Sequence, residues 1–260
     1  MSEIWCVASG KGGVGKTFVA SGLGISLAKL RKKVLLVDFD ISGANLHTVL
    51  GLKDFKKSIV DGLNSNSNGT DMVMHSGFSN LDFIPGFIVP QLGQELCTFK
   101  VDALLQQLKS LKYDVIIFDL GPGAQKANFS LMNYAHRNFV ITNCEPTSIE
   151  KTYSFIEQYI ATENPAKNLH ILVNFCRSQQ HQALGKSFES ILFKKHDVNV
   201  RFSAGIRFDN AVWQSTFMTT SNLLSNKPNV FALMPYSEVC HDFYKICKQL
   251  IDPNDLRAVS

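Results

Sequence analysis

Residues 10 to 17 run Gly10-Lys11-Gly12-Gly13-Val14-Gly15-Lys16-Thr17, a spacing suited to holding an anion. Gly10, Gly15, Lys16 and Thr17 complete the pattern G-x-x-x-x-G-K-[ST], whose glycines let successive backbone N–H groups curl around phosphate oxygens. The helix expected next turns its positive end toward the same anion. Lys16 is expected to reach the terminal phosphates, and the Thr17 hydroxyl to hold Mg2+. Gly12, Gly13, Val14 and Phe18 belong to the same ligand-binding run. A second lysine, Lys11, stands at the front of the loop.

Three acids extend this chemistry. Asp119 closes the apolar run Val115-Ile116-Ile117-Phe118, the position from which an aspartate supports Mg2+ in phosphate-loop NTPases. Gly121-Pro122-Gly123 follows and is able to bring backbone N–H groups near a terminal phosphate. Asp38 and Asp40 alternate in Val37-Asp38-Phe39-Asp40, which places both carboxylates on one side of an extended chain. Asp38 is then expected to support the metal side and Asp40 to orient an attacking water. Phosphoryl transfer asks for positioning and charge stabilisation more than for a strong base.

The elements that must position these residues are legible as alternating runs. Ile4–Ala8, Val34–Val37, Tyr113–Phe118, Asn138–Thr142 and His170–Val173 read as strands. Their continuous apolar character suits a parallel sheet buried on both faces. Phe18–Leu30 reads as a helix, with Val19, Leu23, Leu27 and Leu30 at helical spacing. Val101, Leu104, Leu105, Leu108 and Leu111 mark a second helix face, and Ile149, Tyr153, Ile156 and Ile160 a third. Thr147 or Ser148 is expected to cap that third helix after Pro146. The polar tract 64–69 reads as a surface loop, and Met72–Met74 and Leu81–Ile84 as short strands. The fold class is therefore α/β: a doubly wound, mainly parallel sheet flanked by helices, in one domain over 1–260.

Composition narrows the rest. Apolar residues make up 45% of the 260, enough for a full core and against disorder. The formal charge of +4 is only mildly basic. The start Met-Ser-Glu-Ile-Trp carries no signal-peptide pattern, and no apolar run approaches the ~20 residues that span a membrane. Cys6, Cys97, Cys144, Cys176, Cys240 and Cys247 are scattered without a C-x-x-C pair. No zinc or iron–sulfur site is expected, and free thiols in a reducing cytosol are.

Lys-Gly-Gly-Val-Gly-Lys-Thr resembles the deviant phosphate loop of the MinD/ParA family of ATPases. Asp38-Phe39-Asp40-Ile41-Ser42-Gly43-Ala44-Asn45-Leu46 resembles that family's first switch, and Asp119-Leu120-Gly121-Pro122-Gly123 its second. The likeness runs in order to about residue 250. It implies ATP and Mg2+ as cofactors and a sandwich homodimer formed with ATP and released by slow, partner-stimulated hydrolysis. It implies that Lys11 reaches across the dimer to the partner's phosphates, that Asp40 positions water, and that Asn174 contacts adenine. Arg207 and Asp209, in Gly205-Ile206-Arg207-Phe208-Asp209, correspond to the segment that passes the base. Arg207 stands where the family has proline, and Leu120 where it has a small or polar residue.

Cys144-Glu145-Pro146-Thr147-Ser148-Ile149 and Val173-Asn174-Phe175-Cys176-Arg177-Ser178 are most similar to the FlhG (FleN) branch, which controls flagellar number and placement. That likeness implies a cytoplasmic protein recruited to a cell pole or the inner membrane surface, with a protein effector. The N-terminal extension and the C-terminal membrane helix found in that group are not evident. The stripe Val239, Phe243, Ile246 and Leu250 is expected to pack in the core. A ParA-like partitioning ATPase is the alternative; it would need DNA-binding cations, for which Arg31-Lys32-Lys33 and Lys194-Lys195 are weak candidates, more simply read as solvated helix ends. An iron–sulfur carrier would need paired cysteines that Cys240 and Cys247, seven apart, do not provide. A scaffold with a dead site is disfavoured by the intact Lys11, Lys16, Thr17, Asp40 and Asp119.

Overall fold

The computed structural model describes residues 2–40, 43–52, 57–59, 69–86, 98–162, 168–200, 202–214, 231 and 236–251. Cys97, residues 64–68 of the expected loop, Ile41-Ser42 of the first-switch segment and the C-terminal run 252–260 lie outside these.

Alternation of strand and helix gives β1 (Glu3–Ala8), α1 (Lys16–Lys29), β2 (Val34–Phe39), α2 (Leu46–Leu50), β3 (Met74–His75), β4 (Leu81–Ile84), α3 (Thr98–Ser110) and β5 (Val115–Leu120). Then follow α4 (Lys126–Tyr134), β6 (Arg137–Thr142), α5 (Pro146–Ile160), β7 (Leu169–Cys176), α6 (Gln180–His196), β8 (Phe202–Arg207) and α7 (Glu238–Leu250). The eight strands lie in the order β3-β4-β2-β5-β1-β6-β7-β8. All pairings are parallel except that of β3 with β4. Met72 belongs to a 3-10 turn, Gly69–Met72, so the expected strand there shortens to Met74–His75.

Side chains of each central strand alternate between two cores. Ile4, Cys6, Leu35, Val37, Ile116 and Phe118 face one side with α3, α4 and α5. Trp5, Val7, Val34, Leu36 and Ile117 face the other with α1 and α7. Burial on both faces explains why these strands read as unbroken apolar runs. Helix α1 is buried over most of its circumference, from Val19 through Ala28, because it is packed between the sheet and α7. Gly22 permits that approach: a Cβ there would lie 2.4 Å from the Phe243 ring. The stripe Val239, Phe243 and Ile246 is buried in this contact, and Leu250 packs against its edge.

Two helix details differ from expectation. The buried face of α5 is Ser148, Thr152, Phe155, Ile156 and Tyr159, with Ile149, Tyr153 and Ile160 at its margin. The small polar Ser148 tucks inward because its hydroxyl pairs with Thr142 Oγ1 at 3.1 Å and accepts from Asn143 N at 3.3 Å. Neither Thr147 nor Ser148 caps the helix: the cap position is Glu145 without a side-chain bond, and Pro146 opens the first turn, where its missing N–H costs nothing.

β2 and β5, like β7, run further than their apolar pattern. β2 continues through Asp38 and Phe39, and β5 through Asp119 and Leu120, with Asp38 paired to Asp119 across the ladder. The chain runs from β1 past an open place to β2, β3 and β4, returns to fill that place with β5, and then continues on the far side of β1 to β6, β7 and β8. The carboxyl ends of the adjacent parallel strands β2, β5, β1, β6 and β7 therefore form one edge, where ligands bind in open α/β sheets.

Candidate functional site

The loop after β1 is shaped by what presses on it. Gly13 and Gly15 take left-handed conformations, φ 80° and 87°, which favour glycine. A Cβ on Gly15 would lie 2.3 Å from Asn174 Nδ2, and one on Gly10 would lie 2.1 Å from the Lys151 carbonyl oxygen of α5. Asn174 Nδ2 donates to the Val14 carbonyl at 2.9 Å, Ser9 Oγ to the Lys11 carbonyl at 2.7 Å, and Gly123 N to the Ser9 carbonyl at 3.0 Å. The loop is thus braced from β7, from α5 and from the turn after β5. Gly15 is also the cap position of α1 and offers no side chain to the first turn, so those N–H groups remain for an anion.

A cavity of about 460 Å3 opens over the loop. Gly12, Gly13, Gly15, Lys16, Thr17 and Phe18 line one end, and Phe175, Arg207, Phe208, Asp209, Val212, Trp213 and Val239 the other; Asp40, Asn45, Thr48, Val49 and Pro122 flank them. The first end is polar and cationic, the second largely aromatic. Gly10 and Val14 support the loop from behind, and Val14 is 1% exposed.

The three acids separate into different roles. Asp40 lines the cavity and accepts from Gly43 N at 3.0 Å. Asp38 is fully buried and accepts from Asp40 N at 3.2 Å and Leu46 N at 3.0 Å. It anchors the segment that carries Asp40, so alternation has not put both carboxylates into the cavity. Asp119, 1% exposed, accepts from the Thr17 hydroxyl, and its Oδ1 has no hydrogen-bond partner. Burial, reinforced by neighbouring Asp38, raises the Asp119 carboxyl to about 8, against the opposing Thr17 hydroxyl and Lys16 charge. Burial raises Asp38 to about 6, opposed by the backbone N–H groups it accepts. Lys16 is 8% exposed; burial lowers its pKa, opposed by Asp119 and Asp40. A cavity-lining hydroxyl beside a buried carboxylate with an unsatisfied oxygen is a donor set that a hard divalent cation fits.

These carboxylates have a consequence for stability. Both folded pKa values lie above the ordinary 3.8, so the native state holds more protons than the unfolded chain between about pH 4 and pH 8. Their contribution is full at the acid end and is lost as pH rises through the folded values. In the absence of Mg2+ and nucleotide, the melting temperature is expected to fall across that window. The isosteric Asp119→Asn should flatten the fall and raise the melting temperature near pH 8. A thermal-denaturation series showing equal slopes for both proteins would refute this.

Lys11 points away from the cavity. Its Nζ pairs with Glu145 Oε2 at 2.8 Å and donates to Thr147 Oγ1 at 3.0 Å. Lys11 draws the Glu145 carboxyl below its ordinary value. Asn174 is fully buried behind the loop; its Nδ2 braces Val14, and its Oδ1 has no hydrogen-bond partner. Asp209 lines the far end, but its Oδ1 accepts from Ala211 N at 2.8 Å and Val212 N at 3.2 Å, capping the helical residues 210–214. Leu120 is fully buried in the core and does not face the cavity.

Several residues at the site carry no motif. Phe175, Phe208 and Trp213 form its aromatic wall, with Phe175 5.7 Å from Trp213 at 84° and 6.2 Å from Phe208 at 73°. Phe175 reaches this wall through a left-handed backbone, φ 58°, at a register shift between β7 and β8. Trp213 stays 43% exposed at the rim, which only the structure reveals. Of the candidate DNA-binding cations, Arg31 and Lys33 follow the end of α1, and Lys194 and Lys195 form the last turn of α6; helix C-termini favour such charges without a partner. Among the described residues, no three His, Cys, Asp or Glu side chains cluster to hold a metal, and no helix is long and apolar enough to cross a membrane.

Comparison with known proteins adds ancestry to this geometry. Residues 2–171 match the family model described as an AAA domain. A putative septum site-determining protein MinD from Emiliania huxleyi is 36% identical over 151 residues, covering 57% of this chain and 55% of that protein. The match thus spans about half the length of that relative. The antiactivator FleN of Pseudomonas aeruginosa is 26% identical over 213 residues, covering 81% of this chain and 75% of that protein. The solved structure of MinD from Pyrococcus horikoshii, complexed with Mg-ADP, superposes with a TM-score of 0.77 at 24% identity over the whole of both chains.

Proposed function

The chain belongs to the MinD/ParA family of P-loop ATPases, and on that premise we propose that it is an ATP-binding and ATP-hydrolysing switch. The observation that carries the reading is the two-ended cavity. One end offers Lys16, the backbone of Gly13 and Gly15 and the uncapped start of α1; the other is an aromatic wall. A triphosphate and a flat heterocycle joined by a sugar match that arrangement.

Thr17 and Asp119 would hold Mg2+, which when bound supplies charge neutralisation on the phosphates. Lys16, dehydrated at the cavity floor, stabilises negative charge as it shifts toward the leaving group. Asp40 stands at the cavity wall, close over Gly121, where it orients water toward the terminal phosphate. Asp38 holds the Asp40 segment in register through the Asp40 and Leu46 amides. Pro122 and the turn behind it close the same side; the turn is fixed by Asn128 Nδ2, which donates to the Gly121 carbonyl at 3.0 Å.

Lys11 couples the site to assembly. Its partners Glu145 and Thr147 are exposed, and an ion pair in solvent is weakly held. Exchange of Glu145 for the phosphates of a second subunit's nucleotide would bury Lys11 in a sandwich dimer and bias the dimer toward the ATP state. The FleN relationship over most of the chain supports a role in flagellar number or polar placement, with a protein effector reading the dimer.

The test is the solution mass of Asp40→Ala with Mg-ATP and with Mg-ADP, by light scattering after gel filtration. The expected result is a dimer with ATP and a monomer with ADP. A monomer in both, with ATP shown to be bound, would overturn the switch and the role given to Lys11.

A further inference from the structure

Arg207 ends β8 and stands at the aromatic end of the cavity, yet its side chain is committed to α7. Nε donates to Asp242 Oδ2 at 2.9 Å and Oδ1 at 3.1 Å, and Nη2 to Asp242 Oδ1 at 2.8 Å. Nη2 also donates to the Glu238 carbonyl at 3.3 Å, and Nη1 to the Glu238 carboxylate. The backbone joins in: Arg207 N donates to Asp242 Oδ2 at 3.0 Å. This is a planar fork matched to a carboxylate and extended along one helical turn, a geometry that a lysine does not reproduce. The Asp242 side chain is only 12% exposed, so the pair is sheltered on one side.

The segment that Arg207 begins supplies the aromatic wall. Phe208, Val212 and Trp213 follow it directly, and Phe208 N donates to the Cys176 carbonyl at 2.8 Å. The wall is therefore pinned at two points, to β7 by that bond and to α7 by Arg207. These hydrogen bonds of Arg207 go to Asp242 and Glu238 of α7, away from the phosphate loop. Removing the guanidinium would free the wall and leave the phosphate end as it is.

We infer that Arg207 is a positioning residue for the heterocycle end of the ligand: its fork on Asp242 sets the distance of the Phe208–Trp213 wall and makes α7 part of the nucleotide-binding unit. The inference rests on the nucleotide reading above and deepens it, since it assigns affinity for the nucleoside end to a contact outside the phosphate loop. It is a property of this chain, because a proline at this position offers no fork to α7.

The test compares two probes on the same proteins, Mg-ATP and Mg-tripolyphosphate, by titration calorimetry on wild type, Arg207→Ala, Arg207→Lys and Asp242→Asn. Loss of a charge-assisted fork predicts about a tenfold weaker Mg-ATP affinity in each variant, with Mg-tripolyphosphate affinity unchanged within about twofold. The double variant Arg207→Ala/Asp242→Asn should be no weaker than the worse single one, as expected for one shared contact. A parallel loss for both probes would mean that Arg207 acts on the fold as a whole and would overturn the inference. So would unchanged Mg-ATP affinity in variants that remain folded by circular dichroism. Wild-type protein that binds tripolyphosphate but shows no preference for ATP would overturn the nucleotide reading itself. Wild type that prefers ATP while the variants match it would overturn this inference alone.

Discussion

Lys16→Ala is expected to lower ATP turnover by at least about a hundredfold, the scale seen when one dehydrated donor to a developing negative charge is removed. Lys16 is 8% exposed, so little water is available to replace it. The substitution also removes the positive charge that opposes protonation of Asp119, which weakens the metal side of the site as well. Two losses at one point explain why this effect should exceed that of any rim substitution. Phosphate release at saturating Mg-ATP checks it, with nucleotide retention measured in parallel. Turnover within a few-fold of wild type would place hydrolysis outside this cavity.

Gly15→Ala should be far more damaging than the same methyl at Gly12 or Gly13. The left-handed φ of 87° costs a non-glycine residue about 1–2 kcal/mol. The new Cβ would also lie 2.3 Å from Asn174 Nδ2 and 3.0 Å from Phe175 Cζ, an overpacking of about 1–3 kcal/mol. Together these are a large share of the ~5–15 kcal/mol that holds a domain, and the melting temperature should drop on the order of 10 °C. Two neighbours calibrate the claim. At Gly13 a Cβ meets nothing within 4 Å but φ is 80°, and at Gly12 it meets nothing within 4 Å with no positive φ. Stability without nucleotide should therefore rank Gly12→Ala above Gly13→Ala above Gly15→Ala. Shortening the clashing partner in Gly15→Ala/Asn174→Ser should recover part of the loss. Equal melting temperatures across the series would show that the loop relaxes freely and is not braced by β7.

The phosphate loop, the strand before it and the helix after it were legible because each is a local pattern. Glycine spacing sets backbone freedom, an unbroken apolar run sets a strand buried on both faces, and 3.6-residue spacing sets a helix. The aspartates near the ends of β2 and β5 were legible because an acid interrupts each apolar run, although both strands stay buried one residue beyond it. Alternation alone, however, treated Asp38 and Asp40 alike. The pairing of Asp38 with Asp119 across the ladder buries the first and leaves the second at the cavity.

What lay beyond local pattern was every contact made across the sheet. Lys11 meets Glu145 from 134 positions away, and Asn174 braces Val14 from 160. The aromatic wall assembles from β7 and the segment after β8, and Arg207 reaches α7, 35 positions on. A residue's type states which bond it is able to make; which partner arrives depends on strand order and on how closely the helices pack. The sequence by itself determined that a phosphate-binding loop opens a doubly wound sheet. Tertiary packing alone decided which acid faces the ligand, where the free end of Lys11 rests and what holds the far wall, because burial and charge pairing are properties of neighbours in space.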